Sequence, residues 1–237
     1  NFIASHDGIG MRPAEGILTK KIIKNLLNRL KKNGSKFSYR KIKNKSKKVY
    51  EANITVFNAL SKSDADKEGK FYFERYISAH AIMISFEGVP AIYFNSLFGT
   101  SNDEAKYIIT GNNRDVNRYR WNQKVILNHL KNTKSKQSIF FKNLTNLLNI
   151  KKKQKAFHPN ASRATLNMGS KIFCFQRTSV DKKQSIICLT NLSSKNQTTK
   201  PIKAHLNCKD LLNTTTKFKD KNLINLKPFQ TVWLSNI

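Results

Sequence analysis

Acidic residues are scarce in this chain. Fourteen Asp and Glu stand against 44 Lys and Arg among 237 residues, a formal charge of +30. Arginine is also scarce: nine of the 44 cations are Arg and 35 are Lys, beside 27 Asn. Arg is the side chain that forks onto phosphate and guanine, so this charge is a poor match to a dedicated nucleic-acid reader. A Lys- and Asn-heavy surface follows equally from an AT-rich coding sequence. Three cysteines, Cys174, Cys188 and Cys208, are too few and odd in number for a disulfide scaffold. They fit a reduced, cytoplasmic setting. No apolar run reaches the roughly 18 residues of a spanning helix. The longest candidate, Ile77–Phe98, is broken by His80, Glu87, Gly88 and Pro90. Neither a Cys/His spacing for zinc nor a glycine-rich nucleotide loop is present, so no metal and no cofactor is expected.

What is there suffices for a core. Hydrophobic residues make up 39% of the chain, room for one large domain or two modest ones. Asn1–Ala4 reads as the end of a buried strand, turning through Ser5-His6-Asp7-Gly8-Ile9-Gly10 into a loop. Ile17, Leu18, Ile22, Ile23, Leu26, Leu27 and Leu30 recur at helical spacing and stop at Asn33-Gly34. Ser35–Lys48 is expected to be a lysine-rich loop. Phe71–Phe86 reads as a helix and Val89–Phe94 as a buried strand. Two further helices are expected over Lys124–Leu130 and Ser138–Ile150. The order suggests alternating β and α units. Beyond Lys151–Pro159 short β runs take over: Lys171–Arg177, Ser185–Leu189, Leu211-Leu212, Leu223–Leu226 and Thr231–Leu234. A boundary near residue 158 divides an α/β part, 1–157, from an all-β part, 158–237.

His6-Asp7 at a strand end is the first chemical candidate, because a carboxylate and an imidazole there can share a sugar's hydroxyls. Taken alone, the pair reads better as an Asp capping a turn beside a partly buried His. His80, on the apolar face of a helix, reads as a core histidine. Phe71, Tyr72, Phe73 and Tyr76 read as core rather than as a base-stacking platform. Trp121–Val180 holds no acid and twelve Lys or Arg, and its leucines still repeat as in a packed helix, so its charge reads as a solvated face.

The longer string from Phe2 to Leu18, with Ser5-His6-Asp7-Gly8-Ile9-Gly10 at its centre, resembles the fourth conserved region of glycoside hydrolase family thirteen, the α-amylase superfamily. It is most similar to the sucrose phosphorylase subfamily, and within it to glucosylglycerate phosphorylase-like members. Further segments resemble that subfamily in the same order: Asn53–Leu60, Ala79–Met83, Gly88–Phe94, Gly99–Asp103, Asn113–Arg118, Phe157–Pro159, Leu189–Ser193 and Leu226–Leu234.

The resemblance implies the last two βα units of a (β/α)8 TIM barrel, followed by a small antiparallel β-sandwich. It implies a retaining α-glucoside phosphorylase that moves glucose from sucrose or glucosylglycerate to inorganic phosphate. An α-amylase-type hydrolase or transglucosidase, or a non-catalytic basic binding module, is the alternative. Asp7 would be the acid that stabilises the oxocarbenium-like transition state, with His6 beside it. Arg114 would contact phosphate or the acceptor, and Arg12 and Asp103 would line the same rim. The nucleophilic Asp and the acid/base Glu lie upstream in this family, so the chain is expected to be a C-terminal portion, inactive alone and dependent on the missing barrel segment. Retaining chemistry needs both of those carboxyl groups.

Overall fold

The computed structural model describes residues 1–42, 46–200, 208–213, 218–219 and 223–237. In chain order the elements are β1 (Ile9–Gly10), α1 (Lys20–Lys32), β2 (Lys36–Lys41), β3 (Lys47–Asn53), α2 (Val56–Ser61), α3 (Tyr72–Ser85), α4 (Glu104–Thr110), α5 (Gln123–Lys131) and α6 (Lys136–Lys152). The strands β4 (Ser162–Asn167), β5 (Ile172–Thr178), β6 (Ser185–Asn191), β7 (Gln197–Thr199), β8 (Lys209–Asp210), β9 (Phe218–Lys219), β10 (Leu223–Leu226) and β11 (Thr231–Ser235) follow. Short 3-10 turns occupy Arg12–Ala14, Phe94–Phe98, Asn113–Asn117 and Lys155–Phe157. By packing, the chain forms two units. One is Phe2–Tyr72 with Ile92–Lys142; the other is Asn1 with Phe73–Ala91 and Asn143–Ile237.

In the first unit, α1 starts where the Thr19 hydroxyl accepts the Ile22 N–H at 3.3 Å. It ends at Asn33, whose N–H returns to Arg29 and Leu30 carbonyls. Gly34 then takes a φ of +93°, a conformation open to glycine. The apolar stripe places Leu30, Ile23 and Leu27 in a core with Met11, Ala52, Ile54 and Ala59. Strands β1, β3 and β2 form an antiparallel sheet in that order.

The Ser35–Lys48 loop expectation is therefore corrected. Most of that segment belongs to a hairpin, in which Phe37 pairs with Ala52 and Ser38 with Glu51. Its lysines hid the alternation that sends Phe37 and Val49 onto the core.

The second unit carries a five-stranded antiparallel sheet, β4-β5-β6-β11-β8, and a three-stranded one, β7-β10-β9. One face of the larger sheet supplies Ile172, Cys174, Ile187, Leu189, Val232 and Leu234 to a core shared with Ile224 and Leu226 of β10. The alternate residues face the helical part of the same unit: Phe175 stacks on Phe86 at 5.0 Å, and Trp233 meets Phe157 at 4.8 Å. This packing draws α3 and the end of α6 into one unit with the strands, so the compact division does not coincide with residue 158. Two β assignments also change. Leu211-Leu212 is a turn just beyond β8, and β4 is an additional strand whose side chains are mostly exposed.

Arg177 is fully buried in this unit. It donates to the carbonyls of Ser85 (2.6 Å), His158 (2.8 Å), Ala161 (3.1 Å) and Ser162 (3.3 Å). His80 is buried too; its Nδ1 lies 2.9 Å from the Tyr76 carbonyl, and burial lowers its pKa to about 4.

The two expected barrel strands, Asn1–Ala4 and Val89–Phe94, are not strands among the described residues. Phe94 instead opens a 3-10 turn. A strand is completed by a neighbour along its length, and here pairing is confined to one residue. The Asn1 amine donates to the Val89 carbonyl and the Ala91 N–H donates to the Asn1 carbonyl, both at 2.7 Å. Those two slanted bonds have the register of a parallel pair. The sheets of the described residues are all antiparallel.

Candidate active-site cluster

The cluster starts from a tight turn. Ser5 and Gly8 exchange both backbone hydrogen bonds, at 3.0 and 3.1 Å, and the Asp7 N–H donates to the Ser5 hydroxyl at 3.1 Å. Gly8 has φ +101°, and a Cβ there would lie 2.3 Å from the Ala52 carbonyl oxygen. Only glycine lets the turn lie this close to β3. Beyond it, Ile9 pairs with Ala52 and Gly10 with Glu51, so β3 sets the height at which His6 and Asp7 stand. Asn53 at the end of β3 donates to the Asp7 carbonyl at 2.8 Å, and Ser38 of β2 donates to the Asn53 side-chain oxygen at 2.8 Å.

The other wall is the turn Asn113–Asn117. The Asn112 side chain accepts the Arg114 N–H at 3.1 Å, and Asn113 donates to the Phe37 carbonyl at 2.9 Å, fastening the turn to β2. Asp115 is paired with Lys106 at 3.0 Å, and that ammonium holds its carboxyl below the usual carboxylate range.

From this wall Asn117 donates to the His6 carbonyl at 2.6 Å. Arg118 donates through Nε to the same carbonyl at 2.9 Å and through Nη2 to Asp7 Oδ1 at 2.8 Å. Arg114 places Nη1 3.3 Å from Asp7 Oδ1. Its Nε and Nη2 lie on the two carboxylate oxygens of Glu51, at 3.1 and 2.8 Å, and that pairing raises the Arg114 pKa. His6 Nε2 is 3.4 Å from Asp7 Oδ1.

Of the residues singled out from sequence, His6, Asp7 and Arg114 are brought together. Arg12 lies exposed in its 3-10 turn, and its side chain makes no ion pair with the cluster among the described residues. Asp103 is engaged elsewhere: its carboxylate accepts the Lys106 N–H at 3.0 Å and caps α4. Sequence reasoning missed Glu51, Asn53 and Asn117, and left Arg118 without a role. Arg118 and Asn117 sit in the same Arg-Asp-Val-Asn-Arg run as Arg114, which was the available signal. Glu51 had none, because its contact spans 63 positions.

Chemically, the cluster offers one carboxylate, Asp7, with 31% of its side chain exposed and lone pairs open to hydroxyl donors. Glu51, 12% exposed, has both oxygens on Arg114. No group of three or more His, Cys, Asp or Glu is placed to ligate a metal among the described residues.

Comparison with known proteins bears on what this arrangement belongs to. No family model matches the chain. Glucosylglycerate phosphorylase of Escherichia coli is 31% identical over 235 residues, 99% of this chain and 41% of that protein. Glucosylglycerate phosphorylase of Spirochaeta thermophila is 33% identical over 193 residues, 81% of this chain and 32% of that one. Along 99% of its length the chain is thus homologous to glucosylglycerate phosphorylase, in line with its resemblance to the sucrose phosphorylase group of glycoside hydrolase family thirteen. It thus spans about two fifths or less of the length of these phosphorylase-group relatives. The fold agrees. The crystal structure of sucrose 6F-phosphate phosphorylase from Thermoanaerobacter thermosaccharolyticum superposes with a TM-score of 0.57 over 80% of this chain and 38% of that one, at 20% identity. No helix of the described residues is long and apolar enough to cross a membrane.

Proposed function

We propose that this chain is the substrate-positioning part of a cytoplasmic α-glucoside phosphorylase acting on glucosylglycerate or sucrose. The observation that carries the reading is similarity to a glucosylglycerate phosphorylase over 99% of the chain. Asp7 within reach of Arg114 and Arg118 supports it. In this reading Asn1–Ala4 with α1, and α3 with the extended residues after Gly88, derive from two βα units of a (β/α)8 barrel ending at residue 157. Residues 158–237 form the accompanying β-sandwich. The parallel register between Asn1 and residues 89–91 supports the first assignment.

The reaction would be a double displacement. A carboxylate attacks the anomeric carbon as the glycosidic bond breaks, and a carboxylic acid gives its proton to the departing oxygen. Phosphate then displaces the carboxylate, yielding α-glucose 1-phosphate and returning the proton. Both of these groups would come from the part of the protein that corresponds to the relatives' uncovered length. This chain's contribution is Asp7, which accepts hydroxyl protons of the glucosyl ring and stabilises its developing positive charge, with His6 as a second partner. Arg114 contacts the anionic side, phosphate or acceptor, with its charge and with the Nη1 edge that Glu51 leaves open. Arg12 lends positive charge to the same side, and Asp103 acts by holding α4.

The test is release of glucose 1-phosphate from glucosylglycerate or sucrose by the full-length protein. Dependence on phosphate is expected. Turnover with water but not phosphate would replace the phosphorylase reading with a hydrolase.

A further inference from the structure

We infer that Glu51 is a positioning residue that keeps Arg114 from closing over Asp7; this rests on the phosphorylase reading above. Arg114 has three nitrogens to place. Nε and Nη2 are committed side-on to Glu51, and only Nη1 is left toward Asp7, at 3.3 Å. Asp7 already holds Arg118 Nη2 at 2.8 Å on the same oxygen, Oδ1. A second guanidinium fork on Asp7 would take the remaining lone pairs that a sugar hydroxyl needs.

Glu51 prevents this by offering Arg114 a better site. It lies on β3, opposite Gly10 on one side and Ser38 on the other, so its backbone is fixed from both edges. With its side chain only 12% exposed, water competes little for the pair. Tyr50, next on the same strand, places its hydroxyl 3.5 Å from Arg114 Nη2, at the limit of a hydrogen bond. The hairpin therefore divides the two arginines: Arg118 serves Asp7, and Arg114 stays on Glu51 with one edge turned toward the substrate side.

The Glu51→Gln variant tests the division. Its amide nitrogen faces a donor with a donor and its oxygen accepts only part of the fork, so Arg114 transfers to the carboxylate already within reach. In the full-length protein, KM for the glucosyl donor rises roughly tenfold, with a smaller change in kcat. Glu51→Asp keeps the charge and returns KM to within about threefold of the parent. A crystal structure of Glu51→Gln shows two Arg114 nitrogens on Asp7. The inference is overturned if Arg114 stays in place, if Glu51→Gln kinetics remain within about twofold of the parent, or if Glu51→Gln and Glu51→Asp lose their thermal melt alike. Absence of phosphorolysis in the parent protein would sink the phosphorylase reading instead. The position of Arg114 in the variant crystal decides the present inference either way.

Discussion

Arg114 and Arg118 in one unit, and Arg177 in the other, use the same guanidinium in opposite ways. The first two stand about a third exposed and rest on carboxylates. Arg177 is sealed and rests on four backbone carbonyls, with burial pulling its pKa down. A carbonyl clamp has no charge to exchange; it ties the end of α3 to the start of β4 and stays made. An arginine about a third exposed on a carboxylate keeps an edge and its charge within reach of an incoming anion, which suits a site that binds and releases.

The largest effect that would sharpen this contrast is on stability. Arg177→Met should destabilise the protein by roughly 4 kcal/mol, because it strips buried carbonyls of charge-assisted partners. Urea unfolding reads this directly, and a loss below about 1 kcal/mol would break the comparison.

Next comes pH. Burial depresses His80 to about 4 in the folded state, while the unfolded chain takes up that proton near its ordinary value of about 6.5. The unfolded state therefore binds more protons between those values. Stability from this group is complete above about pH 7 and declines as pH falls toward 4, by up to about 3 kcal/mol. His80→Phe should flatten the unfolding free energy over that window, and an unchanged slope would remove His80 as its source.

The smallest effect belongs to Arg118→Met. Exposed pairs contribute about 1 kcal/mol or less, and Asn117 still holds the His6 carbonyl. Its Tm should shift by only a few degrees. A loss as large as that of Arg177→Met would mean that the site arginines are structural after all.

Legibility of the fold followed the strength of local pattern. The periodic apolar residues of α1, α3, α5 and α6 were readable because a helix is decided within a few turns. The hairpin β2–β3 was not, since Lys36, Arg40, Lys47 and Lys48 dilute its alternation and its pairing is settled by residues far apart. The cluster divides in the same manner. His6, Asp7 and Arg114 sit in contiguous strings with recognisable company. Glu51 is one acid among fourteen, and its meaning appears only when β3 carries it to Arg114. Asp103 shows the converse case, a residue in a suggestive loop whose carboxylate caps a helix.

Among the described residues, the ion-pair partners of the Asp7 and Glu51 carboxylates are the guanidiniums of Arg114 and Arg118. Lysine, which makes up most of the positive charge elsewhere, is not among them. The amines thus stay off these two carboxylates, and Lys106 supports the wall through Asp115. Reagents that acylate amines at neutral pH would convert much of the surface while leaving the guanidiniums as they are. The protein could be tethered to a solid support through its lysines, at many points, with the Asp7 carboxylate and its two arginines unmodified.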